Sequence, residues 1–410
     1  MKLPDMHIMP ILRGLRHSKT GATLIALQIA LTLAIVANCV FIMQSYRNDI
    51  QVQSGMDEAN IFSFGNEWAT DSGDIEPRIQ EDLAVLRALP GVRDAEATGG
   101  FPLCGCGGGL YFLEVKTAAA DKYHQTNIRT YLVDDHGLDT YGLHLVSGRW
   151  FTQTEVGRTR FTNPDIPAAM VVSRQLADKL FPSGNALGQW VHVIHDKPSR
   201  IVGIVELAVS TYLDGFHEGD AAFVSLQYVN NPVNYVVRTW PGAQTQVIKS
   251  APQALYGLTR ERVIRNIRPF TETRRLAAQE KHANTVMLAV ICAVLVTVTV
   301  FGIIGLTQFW VTRRRRYIGM RRALGARRID ILKYFHTENL LISGAGCVLG
   351  VALGLAGNVW MLTHLYGLAR MGPTYIGVGA LMVFGLSQFS VLWPALRAAS
   401  LPPAIAARRL

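Results

Sequence analysis

The chain has 410 residues, 49% of them apolar, and 40 Lys and Arg against 30 Asp and Glu, for a net charge of +10. The length allows two or three compact units, but four largely apolar, charge-free stretches of about 18 residues or more exclude an ordinary water-soluble globule. The basic excess lies beside those stretches with no aromatic platform other than Tyr317, which excludes nucleic acid as the partner that explains it.

Residues 1–20 carry Lys2, Arg13, Arg16 and Lys19 against Asp5, and Pro10, Leu12 and Leu15 suggest a short helix at a membrane surface. Residues 21–43 are the first apolar stretch. It exceeds the ~7–15 residue core of a signal peptide, so it reads as an uncleaved anchor. Its Gln28 and Asn38 are expected to face other helices, because unpaired amides are costly in lipid.

Residues 44–283 form the only segment large enough for a soluble core. Helix is predicted over 81–89, stopped by Pro90-Gly91, and strand over 92–98 and 127–133. Residues 173–180 read as a helix opened by a Ser cap. Strand signals recur at 190–194, 201–205, 221–226 and 235–239, and 244–256 should be helical despite Pro252. That order suggests an α+β domain of split β-α-β units carrying an inserted subdomain. The glycines at 91, 148, 188 and 203 serve turns or tight strand packing, and Arg149 is expected to hold the fold through an ion pair. Cys104 and Cys106 form a C-x-C. An oxidising compartment permits a disulfide there, although so short a ring is strained; free thiols are the alternative. Cys39, Cys292 and Cys347 lie in apolar stretches and read as small buried residues.

Residues 270–283 look like a charged helix running straight into the second apolar stretch, 284–311. As one helix from 273 to 311, at about 1.5 Å per residue, it would be nearly 60 Å long, roughly double the hydrocarbon thickness of a bilayer. The alternative is a break near His282. Residues 312–338 follow, then the third stretch at 339–362, a short link at 363–374, the fourth stretch at 375–396 and a tail at 397–410. The third stretch holds Gly346, Gly350 and Gly354, two successive G-x-x-x-G steps that place small residues on one helix face for close packing.

Charge orients these pieces. Segment 313–338 holds eight Arg and one Lys against Asp330 and Glu338, net +7. The amino-terminal segment and the tail are also basic, while 44–283 carries about −4. The positive-inside rule therefore puts both termini and 312–338 in the cytoplasm, and 44–283 and 363–374 outside. Within 313–338, Ile318, Leu324, Ile331 and Phe335 recur at helical spacing with Gly319 and Gly325 as bends. Such an apolar ridge with a basic rim suits anionic lipid or the groove of a soluble partner.

The run Arg316-Tyr317-Ile318-Gly319, then Arg322-Ala323-Leu324-Gly325-Ala326, then Ile331-Leu332 resembles the loop between the second and third membrane helices of the macrolide-exporter-like permeases. These are a branch of the four-helix FtsX-type ABC transporter family. Tyr317 stands where that family usually has an acidic residue. Leu89-Pro90-Gly91-Val92, Gly148-Arg149-Trp150-Phe151, Leu180-Phe181-Pro182 with Leu187-Gly188, Ile201–Val205 and Val236-Val237-Arg238-Thr239 are similar to further family motifs. So is the tail from Pro394-Ala395-Leu396-Arg397 to Arg408. The resemblance implies a multi-pass inner-membrane permease with a large periplasmic domain, porter-like with an inserted part, between helices 1 and 2. It implies coupling to an ABC ATPase subunit through Tyr317, Ile318, Gly319, Met320, Ala323, Leu324, Gly325 and Ala326. It also implies a second permease copy, identical or not, and a periplasmic adaptor with an outer-membrane channel. A lipoprotein-releasing permease and an FtsX-like regulator of a cell-wall hydrolase are the alternatives within reach of the same resemblance.

No G-x-x-x-x-G-K-[ST] loop occurs, since the dipeptide Gly-Lys is absent, so these residues lack the usual cradle for nucleotide phosphates. ATP and magnesium are accordingly expected on the partner ATPase, which is expected to be a separate polypeptide, with no cofactor on this chain. No H-E-x-x-H or G-x-S-x-G appears, and His124, His136, His144, His192, His195 and His217 are scattered. A catalytic site and a metal site are therefore not expected. No charge lies mid-stretch, which argues against an ion path.

Overall fold

The computed structural model describes residues 19–69, 74–105, 110–115, 124–159, 169–193, 197–206, 220–313, 318–320, 327–364 and 370–399. Among them the helices are α1 (Lys19–Gln51), α2 (Ile75–Ala88), α3 (Gly137–Tyr141), α4 (Arg174–Leu180), α5 (Gln244–Leu258), α6 (Phe270–Arg313), α7 (Arg328–His364) and α8 (Pro373–Ala399). The strands are β1 (Ile61–Trp68), β2 (Val92–Thr98), β3 (Leu110–Val115), β4 (His124–Val133), β5 (Leu145–Gly148), β6 (Gly157–Thr159), β7 (Ala169–Ser173), β8 (Trp190–Val193), β9 (Lys197–Val205), β10 (Ala221–Tyr228), β11 (Val233–Thr239) and β12 (Arg262–Pro269). The chain divides into two compact units, one of residues 47–282 and one of residues 1–46 with 283–410.

The unit 47–282 is built on an antiparallel sheet in the order β12-β1-β11-β2. Its units β1-α2-β2 and β11-α5-β12 are the two split β-α-β halves expected from the sequence, with residues 99–232 inserted between them. Both helices pack on one face of the sheet. Ile79, Leu83, Leu86, Val247, Ala251 and Leu255 meet Phe62, Phe64, Ala95, Ala97, Tyr235 and Val237 in one buried cluster. Alternation along β2 sends Asp94, Glu96 and Thr98 to the other face. Helix α2 opens where the Asp74 side chain accepts the Glu76 N–H at 3.3 Å, and it stops before Pro90-Gly91. Gly91 has φ +93°, a left-handed turn that a Cβ would strain.

The insertion makes a second sheet in the order β4-β3-β8-β9-β7-β10-β6, with β5 on β9. Because β4 also pairs with β10, through five parallel residue pairs from Ala221↔Arg129 to Ser225↔Val133, the strands close into a ring. Ser173 caps α4 by accepting the Leu176 N–H at 3.3 Å, as its sequence predicts. Gly148 and Gly203 face each other where β5 joins β9. A Cβ on Gly203 would lie 2.3 Å from the Arg149 carbonyl oxygen, and one on Gly148 equally close to that of Val202. Arg149 forms the expected ion pair, bidentate on Glu155 at 2.6 and 2.7 Å. That contact draws the Glu155 carboxyl down to about 2.

One buried ion pair ties the first sheet to its helices. Arg262 on β12 reaches Asp82 on α2 at 2.7 Å, and the Tyr235 hydroxyl donates to the same carboxylate oxygen at 2.7 Å. Both ionic side chains are at most 2% exposed. Taking one partner away leaves a buried charge uncompensated, which costs about 3–5 kcal/mol. Arg262→Leu is therefore expected to destabilise this unit by about that amount, and the double change with Asp82→Leu to recover most of the loss. Thermal or denaturant unfolding of the purified chain checks both.

Candidate functional site

The helical unit is organised around α1. Half of its most apolar stretch is buried inside the protein, against 11% of that in α6 and 28% in each of α7 and α8. Ile25, Ile29, Leu33, Ala37 and Phe41 form its buried side, in one cluster with Ile303, Trp310, Ile342, Val383 and Val391.

Three neighbours meet α1 in three ways. Against α7 the contact is backbone to backbone. A Cβ on Gly346 would lie 2.8 Å from the Ala26 carbonyl oxygen, and one on Gly350 would lie 2.9 Å from that of Ala30. Gly354 faces Ala34, and the Asn38 side-chain amide donates to the Gly354 carbonyl at 3.1 Å and to Ala34 at 2.8 Å. Residue numbers rise together on both helices, so α1 and α7 run parallel. Against α6 the contact is polar and antiparallel. The Thr32 and Thr299 hydroxyls share a 2.7 Å hydrogen bond, and the Gln28 amide donates to Val298 O at 3.1 Å. Against α8 it is apolar, with Gly379 on Leu33 and Phe41 edge-on to Tyr375 at 5.4 Å. Helices α7 and α8 add polar ties of their own: Asn339 donates to Ser387 O at 3.2 Å and Gln388 to the Ser343 hydroxyl at 3.2 Å.

Ile318, Gly319 and Met320 form a short helical piece. Ile318 is buried among Trp310, Val311, Ile331 and Phe335, and Gly319 is buried too. Met320 is 60% exposed, the member of the three that a partner can reach. Tyr317, Ala323, Leu324, Gly325 and Ala326 lie outside the described residues. Cys104 is disulfide-bonded, and Cys106 lies outside the described residues. No group of three His, Cys, Asp or Glu is placed to hold a metal among the described residues.

Polar residues also gather where the first sheet meets the ring, a cluster that no local pattern announces. Arg87 from α2 reaches Asp94 and Asp134, each at 3.2 Å. His136 Nδ1 lies 2.9 Å from Asp94, and the Asp134 N–H donates to Glu96 at 3.2 Å. His136 is thus tied to Asp94 on β2. Its pKa is raised by the hydrogen bond to Asp94. Burial pushes the Glu96 carboxyl well above its ordinary value, and the Asp134 charge pushes it further.

Two tests follow from this geometry. Gly350→Leu should wedge α1 from α7 and lower the unfolding temperature in detergent by several degrees, whereas Gly357→Leu, with open space around it, should be tolerated. Glu96 and His136 both bind protons more tightly in the folded chain. The stabilisation from each is complete below its ordinary value, 4.5 for Glu96 and 6.5 for His136, and is lost as pH rises through the folded value. Glu96→Gln keeps an acceptor for Asp134 and removes one of these titrations. The decline of unfolding temperature above pH 4.5 should therefore be shallower in the variant than in the parent.

Residues 22–255 match the family model of the MacB-like periplasmic core domain, and residues 289–403 that of the FtsX-like permease C-terminal region. Among similar proteins, the uncharacterized ABC transporter permease YvrN of Bacillus subtilis is 26% identical over 73% of this chain and 74% of its own. The pyoverdine export ATP-binding/permease protein PvdT of Pseudomonas aeruginosa is 30% identical over 60% of this chain and 38% of its own length. The macrolide export ATP-binding/permease protein MacB of Nitrosomonas europaea is 24% identical over 95% of this chain and 56% of its own length. The chain thus spans well under two thirds of these last two relatives. With more than half of its residues inside the first family model, and an FtsX-like region holding the last three long apolar helices after it, the chain belongs to the MacB-like family of ABC transporter permeases.

Proposed function

We propose that this chain is the permease of an ATP-driven export system and converts nucleotide-driven motion at the cytoplasm into motion of a periplasmic domain. The observation that carries the reading is α6. It is one uninterrupted helix of 44 residues, about 66 Å at 1.5 Å per residue, and it supplies residues to both units. A rigid rod of that length is twice what a bilayer requires. Within the unit 47–282 its first turns are fastened to the end of α1: Lys281 pairs with Asp49, and Arg274 clasps Glu58 while donating to the Val52 carbonyl at 3.0 Å. A displacement of either helix therefore reaches the domain through both.

In this reading the four long apolar helices cross the inner membrane. Both termini and residues 312–338 face the cytoplasm, and residues 44–283 and 363–374 the periplasm. The boundaries of the crossing segments are 21–43, 284–311, 339–362 and 375–396. Two permeases pair, and each docks an ABC ATPase through the segment Tyr317–Ala326. ATP and magnesium are held outside these residues, which contain no Walker loop. The names of PvdT and MacB speak of export of pyoverdine and of macrolides. Export of an amphiphilic small molecule from the periplasm, through an adaptor and an outer-membrane channel, fits a domain that moves while its helices stay packed.

Leu324→Asp places a charge on the docking ridge and is expected to reduce co-purification of the ATPase by tenfold or more, with Met320→Asp giving a smaller loss. Undiminished capture by both variants would overturn the docking assignment.

A further inference from the structure

Helices α1 and α6 keep one antiparallel register along their contact. Gly21 faces Trp310, Gln28 faces Gly302, and Thr32 bonds Thr299. Each step of four along α1 is matched by about four backwards along α6, and the pairing carried two turns past Thr32–Thr299 sets Cys39 opposite Cys292. The Cys39 and Cys292 side chains are neighbours, as that register requires. The approach is close along the seam: a Cβ on Gly302 would lie 2.6 Å from the Gln28 side chain, and the threonine hydroxyls are 2.7 Å apart. Both cysteines are free thiols; Cys39 is buried and Cys292 half-buried. The third free thiol, Cys347, instead contacts the Ala380 carbonyl on α8.

We propose that Cys39 and Cys292 are an oxidisable clasp between α1 and α6. In the reduced state the two thiols are a pair of small side chains that let the helices slide. On oxidation the S–H bonds break, one S–S bond forms, and two electrons and two protons pass to a two-electron acceptor. Inside an apolar bundle that acceptor is of the quinone class, which dissolves in lipid, or a disulfide reached from the outer surface. The product ties the two helices covalently at that level, so relative sliding stops. The assignment does not depend on the identity of the ATPase or of the cargo.

The test uses the full chain in lipid nanodiscs, treated with a lipid-soluble benzoquinone or with copper phenanthroline and then digested without reduction. A peptide pair joined through Cys39 and Cys292, lighter than the two free peptides by two hydrogen atoms, is expected. It should vanish on dithiothreitol treatment, be absent from Cys39→Ser and Cys292→Ser, and persist in Cys347→Ser. The oxidised chain should unfold several degrees higher than the reduced one, with no such shift in Cys292→Ser. Both thiols remaining alkylatable after oxidation, or linkage only between copies of the chain, would overturn the pairing. A linked chain whose unfolding temperature does not move would overturn the clasp.

Discussion

The close approach of α1 and α7 underlies the helical unit. Between two helices in an apolar medium there is no hydrophobic drive, because lipid tails are as apolar as leucine. What remains is dispersion and the occasional hydrogen bond, and both fall off steeply with distance. Gly346 and Gly350 bring α7 within a Cβ's reach of the Ala26 and Ala30 carbonyls, and Asn38 then bonds the Gly354 carbonyl directly. With α7 seated there, the remaining sides of α1 are left for α6 and α8. They are taken by a hydroxyl pair on one side and by Gly379 and Tyr375 on the other. The most buried apolar helix is therefore also the one whose neighbours are all specified by small or polar side chains.

A different constraint governs the unit 47–282. The first sheet is covered by α2 and α5 on one face, so the other face must be covered by the insertion. Ile61 and Val236 meet Tyr131, Trp150, Val171 and Phe223 there in one apolar cluster. Glu96, Asp94 and Asp134 sit beside that cluster, and a carboxylate in such a place is costly unless protonated or paired. Arg87 and His136 pair two of them, and burial raises the pKa of Glu96, the fully buried third. The joint between sheet and ring thus depends on proton occupancy in a way that neither sheet does alone.

Much of this was legible in the residues, because the signals are local. Pro90-Gly91 stops α2, Ser173 caps α4, and charged residues 270–283 continue into α6 without a break. The orders α2-β2 and β11-α5 were legible for the same reason. Strands β1 and β12 were not. In β1 a glycine and three polar residues, Ser63, Asn66 and Glu67, interrupt the apolar run, and β12 mixes arginines with Val263, Ile264 and Ile267 on an edge. Their places are set by pairing with β11 and with each other, some 170 and 200 residues apart. Ring closure through β4 and β10 is non-local in the same sense. The glycine steps of α7 announced a packing face, but spacing names a face and not its partner; only the Ala26–Ala30–Ala34 row on α1 supplies that. His136 and Asp94 are 42 residues apart, so composition had no means of joining them.

The segment after α6 divides a short motif between two duties. Ile318 is buried with Trp310 and Val311 of α6 and with Ile331 and Phe335 of α7, whereas Met320, two residues on, is 60% exposed. In one helical turn these side chains point about 200° apart, so one packs inward and the other faces out. Gly319, between Ile318 and Met320, is buried. Ile318 thus packs against residues of α6 and α7 at once.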